Sequence, residues 1–147
     1  EPYRIPLGES VWCTEKRVCF RHSEADGYKI MKFPFEFIEL RSAAVDTRHI
    51  DARKFDRARY RSSMRRRIRN QFIEAQRKGI SHLLLSAFGC GAFANPDYAD
   101  FISKTVCELY REAIAEFQGK FQRIDFAIYS GGYGAVNNFS VWRMQTK

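Results

Sequence analysis

A glycine-rich segment between two apolar stretches carries the residues best suited to bind a ligand. It reads SAFGCGAFANP over residues 86–96. Glycines free backbone N–H groups to approach a ligand closely, and the start of a helix at Pro96 would add partial positive charge. The pattern predicts an anion site, most naturally for a phosphate or diphosphate, with the Phe93 ring packed on a ribose or base. A plain tight turn with Phe93 in the core is the alternative, because short glycine motifs are common.

The cysteines and histidines show no spacing that is typical of a metal site. The cysteines are Cys13, Cys19, Cys90 and Cys107, and the three histidines are scattered among them. We therefore expect no zinc site and no cofactor, reduced thiols, and a cytoplasmic location. Cys90 lies near the predicted helix start, a setting that can lower a thiol pKa. No histidine is placed to pair with it, so a structural role is favoured over a nucleophilic one.

The positive charge of the chain is confined to one segment. The 147 residues carry a net charge of +8. Residues 48–78 hold ten Arg and two Lys against three acidic residues, a net of +9, which leaves −1 for the remainder. A basic patch for phosphates or an anionic partner is one interpretation. The solvated face of one helix is favoured, and nucleic-acid binding is the weaker hypothesis because no recognition motif accompanies the arginines.

Two helices are predicted on either side of the strand that leads into the glycine-rich segment. Between Asp56 and Lys78, apolar residues recur at about every fourth position, which indicates an amphipathic helix. These residues are Tyr60, Met64, Ile68, Phe72 and Ala75. A second helix begins near Asn95 and Pro96 and runs to about Gln118. Its predicted buried face holds Tyr98, Phe101, Ile102, Val106, Leu109, Ala113 and Phe117.

Runs of β-branched, aromatic and aliphatic residues predict the strands. They are Val11–Phe20, Phe33–Leu40 with one face buried, His82–Ala87 buried on both faces, and Ile124–Tyr129. The order β, β, α, β, α, β predicts an α/β three-layer sandwich. Ligands in such folds bind beyond the carboxyl ends of the strands, so the loops 88–95 and 130–138 form the expected site. The length suits one domain, and no apolar run is long enough to span a membrane.

Residues 83–96, which read LLLSAFGCGAFANP, and the strand FAIY at 126–129 resemble macrodomains. The closest resemblance is to the microbial-type poly(ADP-ribose) glycohydrolase-like branch. Upstream, FIEL at 37–40 and SAAVD at 42–46 are similar to that branch's strand ending in an Ala-Ala turn. The resemblance covers roughly residues 10 to 142, with its strong motif at 83–96. It implies a macrodomain-like α/β/α sandwich with a mixed sheet, whose partner is ADP-ribose or an ADP-ribosylated protein.

The same resemblance implies which residues contact the ligand. The diphosphate would be cradled by the backbone amides of Gly89, Cys90, Gly91, Ala92 and Phe93, and the Phe93 ring would lie near the distal ribose. The loop at 133–139, with Asn137 and Asn138, would lie by the adenine. The implied function is an ADP-ribosyl hydrolase acting on ADP-ribosylated protein, and the alternative is an ADP-ribose-binding module without turnover.

The chain departs from this family at the catalytic loop. The family carries a Gly-Gly-Gly run followed by Gln-Glu-Glu in its N-terminal half, and nothing here matches it. The run GGYG at 131–134 lies at the other end and has no Glu pair after it. One explanation is that residues 1–147 are the C-terminal portion of the domain, with the first strands supplied by a missing N-terminal segment. The other is that the lineage has lost the usual acid. We expect the first.

Loss of that acid would give other carboxylates a catalytic role. Asp46 directly follows a predicted strand end, and Asp56 comes ten residues later. A carboxylate at the carboxyl end of a strand can activate water against the anomeric carbon of an ADP-ribosyl bond, or bind a ribose hydroxyl. We predict Asp46 and Asp56 as this pair. A turn at Asp46 and a helix N-cap at Asp56 are the simpler alternatives.

Overall fold

A computed structural model describes residues 7–129 and 136–145 of the chain. Within these ranges it contains three α-helices and three two-stranded sheets. The helices are α1 (Arg57–Arg77), α2 (Ala99–Glu116) and α3 (Asn138–Gln145). The strands are β1 (Val11–Cys13), β2 (Arg17–Arg21), β3 (Ile30–Phe37), β4 (Leu40–Ser42), β5 (His82–Leu85) and β6 (Arg123–Phe126). The predicted α/β class is confirmed.

Helix α1 has the amphipathic stripe that its sequence predicts. Asp56 is its N-cap, and the Asp56 carboxylate accepts the backbone N–H of Arg59 at 2.9 Å. All five apolar residues of the predicted stripe are buried, together with Gln71. The stripe packs against α2 and contributes to a single apolar core. Burial of this stripe, rather than helix propensity alone, therefore stabilises α1.

Helices α2 and α3 complete the helical layer. α2 begins three residues later than predicted, because Asn95 caps a short 3-10 turn at Pro96–Tyr98. α3 is absent from the predicted elements, since eight residues are too few to show a clear period. Tertiary contacts hold it: the Trp142 indole N–H donates to Ser103 Oγ at 3.1 Å, and the Trp142 ring packs on Phe126.

Strands β5 and β6 form a parallel pair in which Leu83 lies opposite Ile124. Leu83 is buried in the core, whereas Leu84 is 73% exposed. The prediction that this strand is buried on both faces is therefore wrong. The described helices pack against the Leu83 side of the pair, and the other side carries Leu84 and the ion pair between Arg123 and Asp125.

Strands β1 to β4 form two separate antiparallel pairs. The predicted strand over residues 11–20 is divided in two at Thr14–Lys16, and β1 pairs with β4 while β2 pairs with β3. The rings of Phe33, Phe35 and Phe37 alternate along β3 and are 79%, 53% and 42% exposed. The predicted burial of one face of this strand is wrong, because its partner is another exposed strand rather than the core.

Candidate ligand-binding cleft

A cleft of about 280 Å³ opens where the parallel strands β5 and β6 end. Its walls come from the connections that follow these two strands and from the start of α3. The lining residues are Ser86, Ala87, Gly91, Ala127, Ile128, Tyr129, Val136 and Asn138. The described part of the chain therefore has a cleft at the carboxyl ends of parallel strands, where α/β folds bind their ligands.

The glycine-rich loop approaches the turn after β4 so closely that residue 89 must be glycine. Gly89 has a φ of +75°, and a Cβ atom built on it would lie 2.7 Å from the Cβ of Ala44. Gly91 differs, since a Cβ there meets no atom within 4 Å. Gly89 thus serves close packing of the loop, while Gly91 leaves space on the side of the cleft.

Part of the loop backbone is free to bind a ligand. The N–H of Cys90 donates to Ala87 O, and the N–H of Ala94 donates to Gly91 O, both at 3.0 Å. Across residues 7–129 and 136–145, no acceptor is found for the remaining loop amides, which are those of Gly89, Gly91, Ala92 and Phe93. Neighbouring amides of this kind bind anions. Cys90 differs from the prediction in that its amide is already used inside the loop.

Thr47 fixes the loop to the segment after β4, and sequence reasoning missed it. Its side chain is fully buried. The hydroxyl donates to Phe93 O at 2.8 Å and accepts the N–H of Asn95 at 3.0 Å. Tyr98 adds a further hydrogen bond from its hydroxyl to Thr47 O, at 3.1 Å. No periodicity marks this residue, because its partners lie more than 45 residues away in the chain.

Asp46 lies beside the loop but is engaged by Arg48. The guanidinium donates to both carboxylate oxygens, with Nη2 to Oδ2 at 2.6 Å and Nε to Oδ1 at 2.9 Å. These hydrogen bonds hold the pKa of the Asp46 carboxyl at about 2. The same guanidinium stands over the Phe93 ring, with its carbon 5.0 Å from the ring centroid. Arg48 therefore connects the carboxylate to the loop.

Asp56 occupies the other position predicted for a catalytic carboxylate. Its carboxylate caps α1. The structure thus brings Asp46 to the loop through Arg48 and gives Asp56 the role of an N-cap.

Asn137 and Asn138 lie where the chain returns from residues 130–135. Asn137 Oδ1 accepts the N–H of Ser140 at 3.1 Å. Asn138 lines the cleft, and its Nδ2 donates to Cys90 O at 3.0 Å, which ties this segment to the glycine-rich loop. Asn138 Oδ1 is buried and has no hydrogen-bond partner among residues 7–129 and 136–145. The run GGYG at 131–134 lies outside the described residues.

The chemistry of the remaining candidate groups is limited. Burial raises the pKa of the Cys90 thiol to about 12, so it is not a thiolate nucleophile at neutral pH. All four cysteines are unpaired. No group of His, Cys, Asp and Glu in residues 7–129 and 136–145 could hold a metal ion. The helices of those residues also lack one long and apolar enough to cross a membrane.

The arginine-rich face of α1 is largely neutralised by its neighbours. Arg61 and Arg65 both contact Glu112 of α2 at 2.8 Å, and Arg69 contacts Glu116 at 2.7 Å. Arg66 binds the buried carboxylate of Glu9 at 2.7 Å. This arrangement supports the interpretation of the segment as one face of a helix, with its charges used to hold α1 to α2.

The fold is shared with solved glycohydrolase structures. No protein-family model and no curated protein sequence matches the chain. A poly(ADP-ribose) glycohydrolase from Thermomonospora curvata bound to the inhibitor ADP-HPD matches with a TM-score of 0.73 and 23% identity, covering 90% of this chain and 47% of that one. A mutant poly(ADP-ribose) glycohydrolase from Deinococcus radiodurans in complex with ADP-ribose gives 0.74 and 20%, covering 92% and 51%.

These matches confirm the predicted likeness to microbial poly(ADP-ribose) glycohydrolases at the level of the fold, which is macrodomain-like. The chain spans about half the length of the structures that it matches.

Proposed function

We propose that this chain binds ADP-ribose in the cleft at the ends of β5 and β6, and that it forms the ligand-binding part of an ADP-ribosyl hydrolase acting on ADP-ribosylated protein. One observation carries the proposal: the amides of Gly89, Gly91, Ala92 and Phe93 have no acceptor among the described residues, and their loop borders a cleft at the carboxyl ends of two parallel strands. Structures of the same fold were solved with ADP-ribose or an inhibitor.

In this proposal the loop binds the central part of the ligand. The amides of Gly91, Ala92 and Phe93 hold the diphosphate, as neighbouring backbone N–H groups do in other anion sites. The Phe93 ring is 38% exposed and packs against the distal ribose. Asn137 and Asn138 lie on the adenine side, and the buried Oδ1 of Asn138 is an acceptor for which the described part of the chain supplies no donor.

Hydrolysis requires a group that activates water at the anomeric carbon. Of the two predicted carboxylates, Asp46 is the better candidate, because it contacts the loop through Arg48 whereas Asp56 is engaged as a helix cap. The alternative source of this group, which we favour, is a segment upstream of Glu1 that completes the fold and supplies the family's catalytic loop, since the matched structures are about twice as long as this chain.

A second candidate function is ADP-ribose binding without turnover. It is favoured by the state of both carboxylates, since Arg48 holds Asp46 on both oxygens and Asp56 caps α1. The binding part of the proposal is common to both functions. The two differ only in whether the bond to the modified protein is cut.

Calorimetry with ADP-ribose tests the binding, and release of ADP-ribose from a modified protein tests the turnover. We expect ADP-ribose to bind the folded chain and AMP to bind more weakly, because AMP lacks the diphosphate. If a folded sample does not bind ADP-ribose, both functions are wrong. Binding without release, both by this chain and by a longer chain that includes the upstream segment, selects the module. Release that survives in both Asp46→Asn and Asp56→Asn rejects these carboxylates as the catalytic pair.

A further inference from the structure

We propose that Arg48 is a diphosphate-binding residue that exchanges its partner, leaving Asp46 for the ligand when ADP-ribose binds. The inference rests on the proposed function, because it concerns the same glycine-rich loop. It adds a side-chain cation to a site described so far by backbone amides, and it makes Asp46 the counter-ion of that cation in the unliganded protein.

The position of Arg48 places its charge against the loop. The guanidinium carbon lies 5.0 Å from the centroid of the Phe93 ring. The backbone of Phe93 is itself fixed by two hydrogen bonds from Thr47, one from the N–H at 3.0 Å and one from the hydroxyl at 2.8 Å. Arg48 therefore contacts the glycine-rich loop at Phe93, and the amides of residues 91–93 in that loop have no acceptor among the described residues. A guanidinium presents paired N–H donors that fit a phosphate as well as a carboxylate.

The pair between Arg48 and Asp46 can be exchanged because water reaches both groups. The Arg48 and Asp46 side chains are 47% and 41% exposed. Exposed pairs of this kind are weak, since water and salt compete for both partners. The backbone N–H of Arg48 also donates to Asp46 Oδ1, at 3.1 Å, and this bond does not require the guanidinium. Asp46 thus keeps its place when the side chain of Arg48 turns to the ligand.

The exchange would change the chemistry of Asp46. While Arg48 binds the Asp46 carboxylate, the pKa of that carboxyl is about 2. Asp46 is then a poor base. Once the guanidinium has moved to the diphosphate, the main cause of that low value is removed and the pKa rises toward the usual range of an aspartate. Binding of the diphosphate would then free a carboxylate next to the ribose at the moment when the substrate arrives.

The chain contains a matched control for this pair. Arg53 and Asp51 have the same spacing and the same contacts, with the Arg53 N–H at 2.8 Å from Asp51 Oδ1 and Arg53 Nη2 at 3.3 Å from Asp51 Oδ2. Arg53 is 91% exposed, and its described contacts are not with the loop. Substitutions in this second pair therefore remove the same kind of interaction at a place that does not contact the glycine-rich loop.

The experiment is calorimetry of ADP-ribose with the wild-type chain, Arg48→Ala, Asp46→Asn, Arg53→Ala and Asp51→Asn. We expect Arg48→Ala to weaken binding about tenfold or more, because a charge-assisted hydrogen bond is lost. Asp46→Asn should tighten binding several-fold, because no ion pair is broken when the ligand binds. The two control variants should match the wild type. Adenosine, which has no phosphate, should bind equally to the wild type and Arg48→Ala.

Three results would overturn the inference. Equal affinity of Arg48→Ala and wild type for ADP-ribose means that the guanidinium does not bind the ligand, while the proposed function still holds. Weaker binding by Asp46→Asn means that Asp46 itself contacts the ligand. A folded wild-type chain that does not bind ADP-ribose rejects the proposed function and the inference together. Tighter binding by Asp46→Asn could not arise from a damaged fold, so that result supports the exchange directly.

Discussion

Thr47 donates two hydrogen bonds to the same carbonyl oxygen of Phe93, one from its hydroxyl at 2.8 Å and one from its backbone N–H at 3.0 Å. The hydroxyl also accepts the N–H of Asn95. Thr47 is fully buried, and its hydrogen bonds therefore fix the position of the glycine-rich loop relative to the ends of the strands. No sequence pattern identifies this residue.

Replacement of this hydroxyl should loosen the loop. Thr47→Val keeps the shape but leaves Phe93 O with one donor and the Asn95 N–H without an acceptor. We expect the free energy of unfolding to fall by about 1–3 kcal/mol, measured by urea denaturation, and ADP-ribose binding to weaken. Thr47→Ser keeps the hydroxyl and should retain most of both. Equal losses in the two variants would show that the methyl group, not the hydroxyl, holds the loop.

Alanine substitution of the two loop glycines should affect ligand binding at residue 91 and stability at residue 89. Gly91→Ala places a methyl group in open space at the cleft, so the melting temperature should stay unchanged while ADP-ribose binding weakens about tenfold or more. Gly89→Ala forces a φ of +75° on alanine and a clash with Ala44. It should lower the free energy of unfolding by about 2 kcal/mol or more. Full affinity in Gly91→Ala would remove residue 91 from the site.

The pair of Glu9 and Arg66 should make stability depend on pH. Hydrogen bonds from Arg66 hold the pKa of the buried Glu9 carboxyl below its usual range. A carboxyl group whose pKa is lower in the folded than in the unfolded protein stabilises the fold at pH values above its unfolded-state pKa. This stabilisation is lost as the pH falls through the folded-state pKa. Glu9→Gln should cost about 1–3 kcal/mol near pH 7 and less near pH 3. Urea unfolding at both values measures it, and a constant difference would contradict it.

Removal of the carboxylates that face α1 should uncover its basic face. The combined variant Glu108→Gln, Glu112→Gln and Glu116→Gln removes the carboxylates that pair with Arg61, Arg65 and Arg69. We expect a short DNA duplex to bind this variant more tightly than the wild type. The salt dependence should steepen, with a slope increase of about 0.9 for each phosphate contacted. Glu15→Gln is the control, and an unchanged slope in the combined variant would mean that the pairs do not mask the arginines.

The buried thiols should resist labelling in the native protein. Cys90 and Cys107 are 6% and 2% exposed, and burial raises the pKa of both thiols. Cys13 and Cys19 are only half-buried. At pH 8, a thiol reagent such as DTNB should therefore react with Cys19 well before Cys90, and all four should react in denaturant. Mass spectrometry of the labelled peptides identifies the order, and early labelling of Cys90 would contradict its burial.

Sequence reasoning located those features that depend on local spacing. The stripe from Tyr60 to Ala75 recurs with the helical period and is buried as predicted, and the glycine-rich loop lies between a strand and a helix as predicted. Features that depend on distant partners were missed. Phe33 and Phe35 alternate as in a half-buried strand, yet their exposure is set by what packs on β3, which the local sequence does not encode.

The site shows the same division between local and distant information. Asp56 caps α1 through a hydrogen bond with a residue three positions later. The sequence alone could therefore suggest an N-cap as an alternative to a catalytic role. The roles of Thr47 and Arg48 could not, because each depends on Phe93, which lies about 45 positions further along the chain. The order of the elements identified where a ligand would bind, while the residues that fix the loop required the tertiary structure.

The close approach of Gly89 to Ala44 also limits which residues these two positions can accept. A Cβ on residue 89 would lie 2.7 Å from the Ala44 methyl carbon, so the two positions share the space of one methyl group. A larger side chain at either position would require the turn after β4 and the glycine-rich loop to move apart. Random mutagenesis should therefore recover functional variants at 44 and 89 only rarely, and a larger residue at either position should require a compensating change elsewhere in the turn or loop.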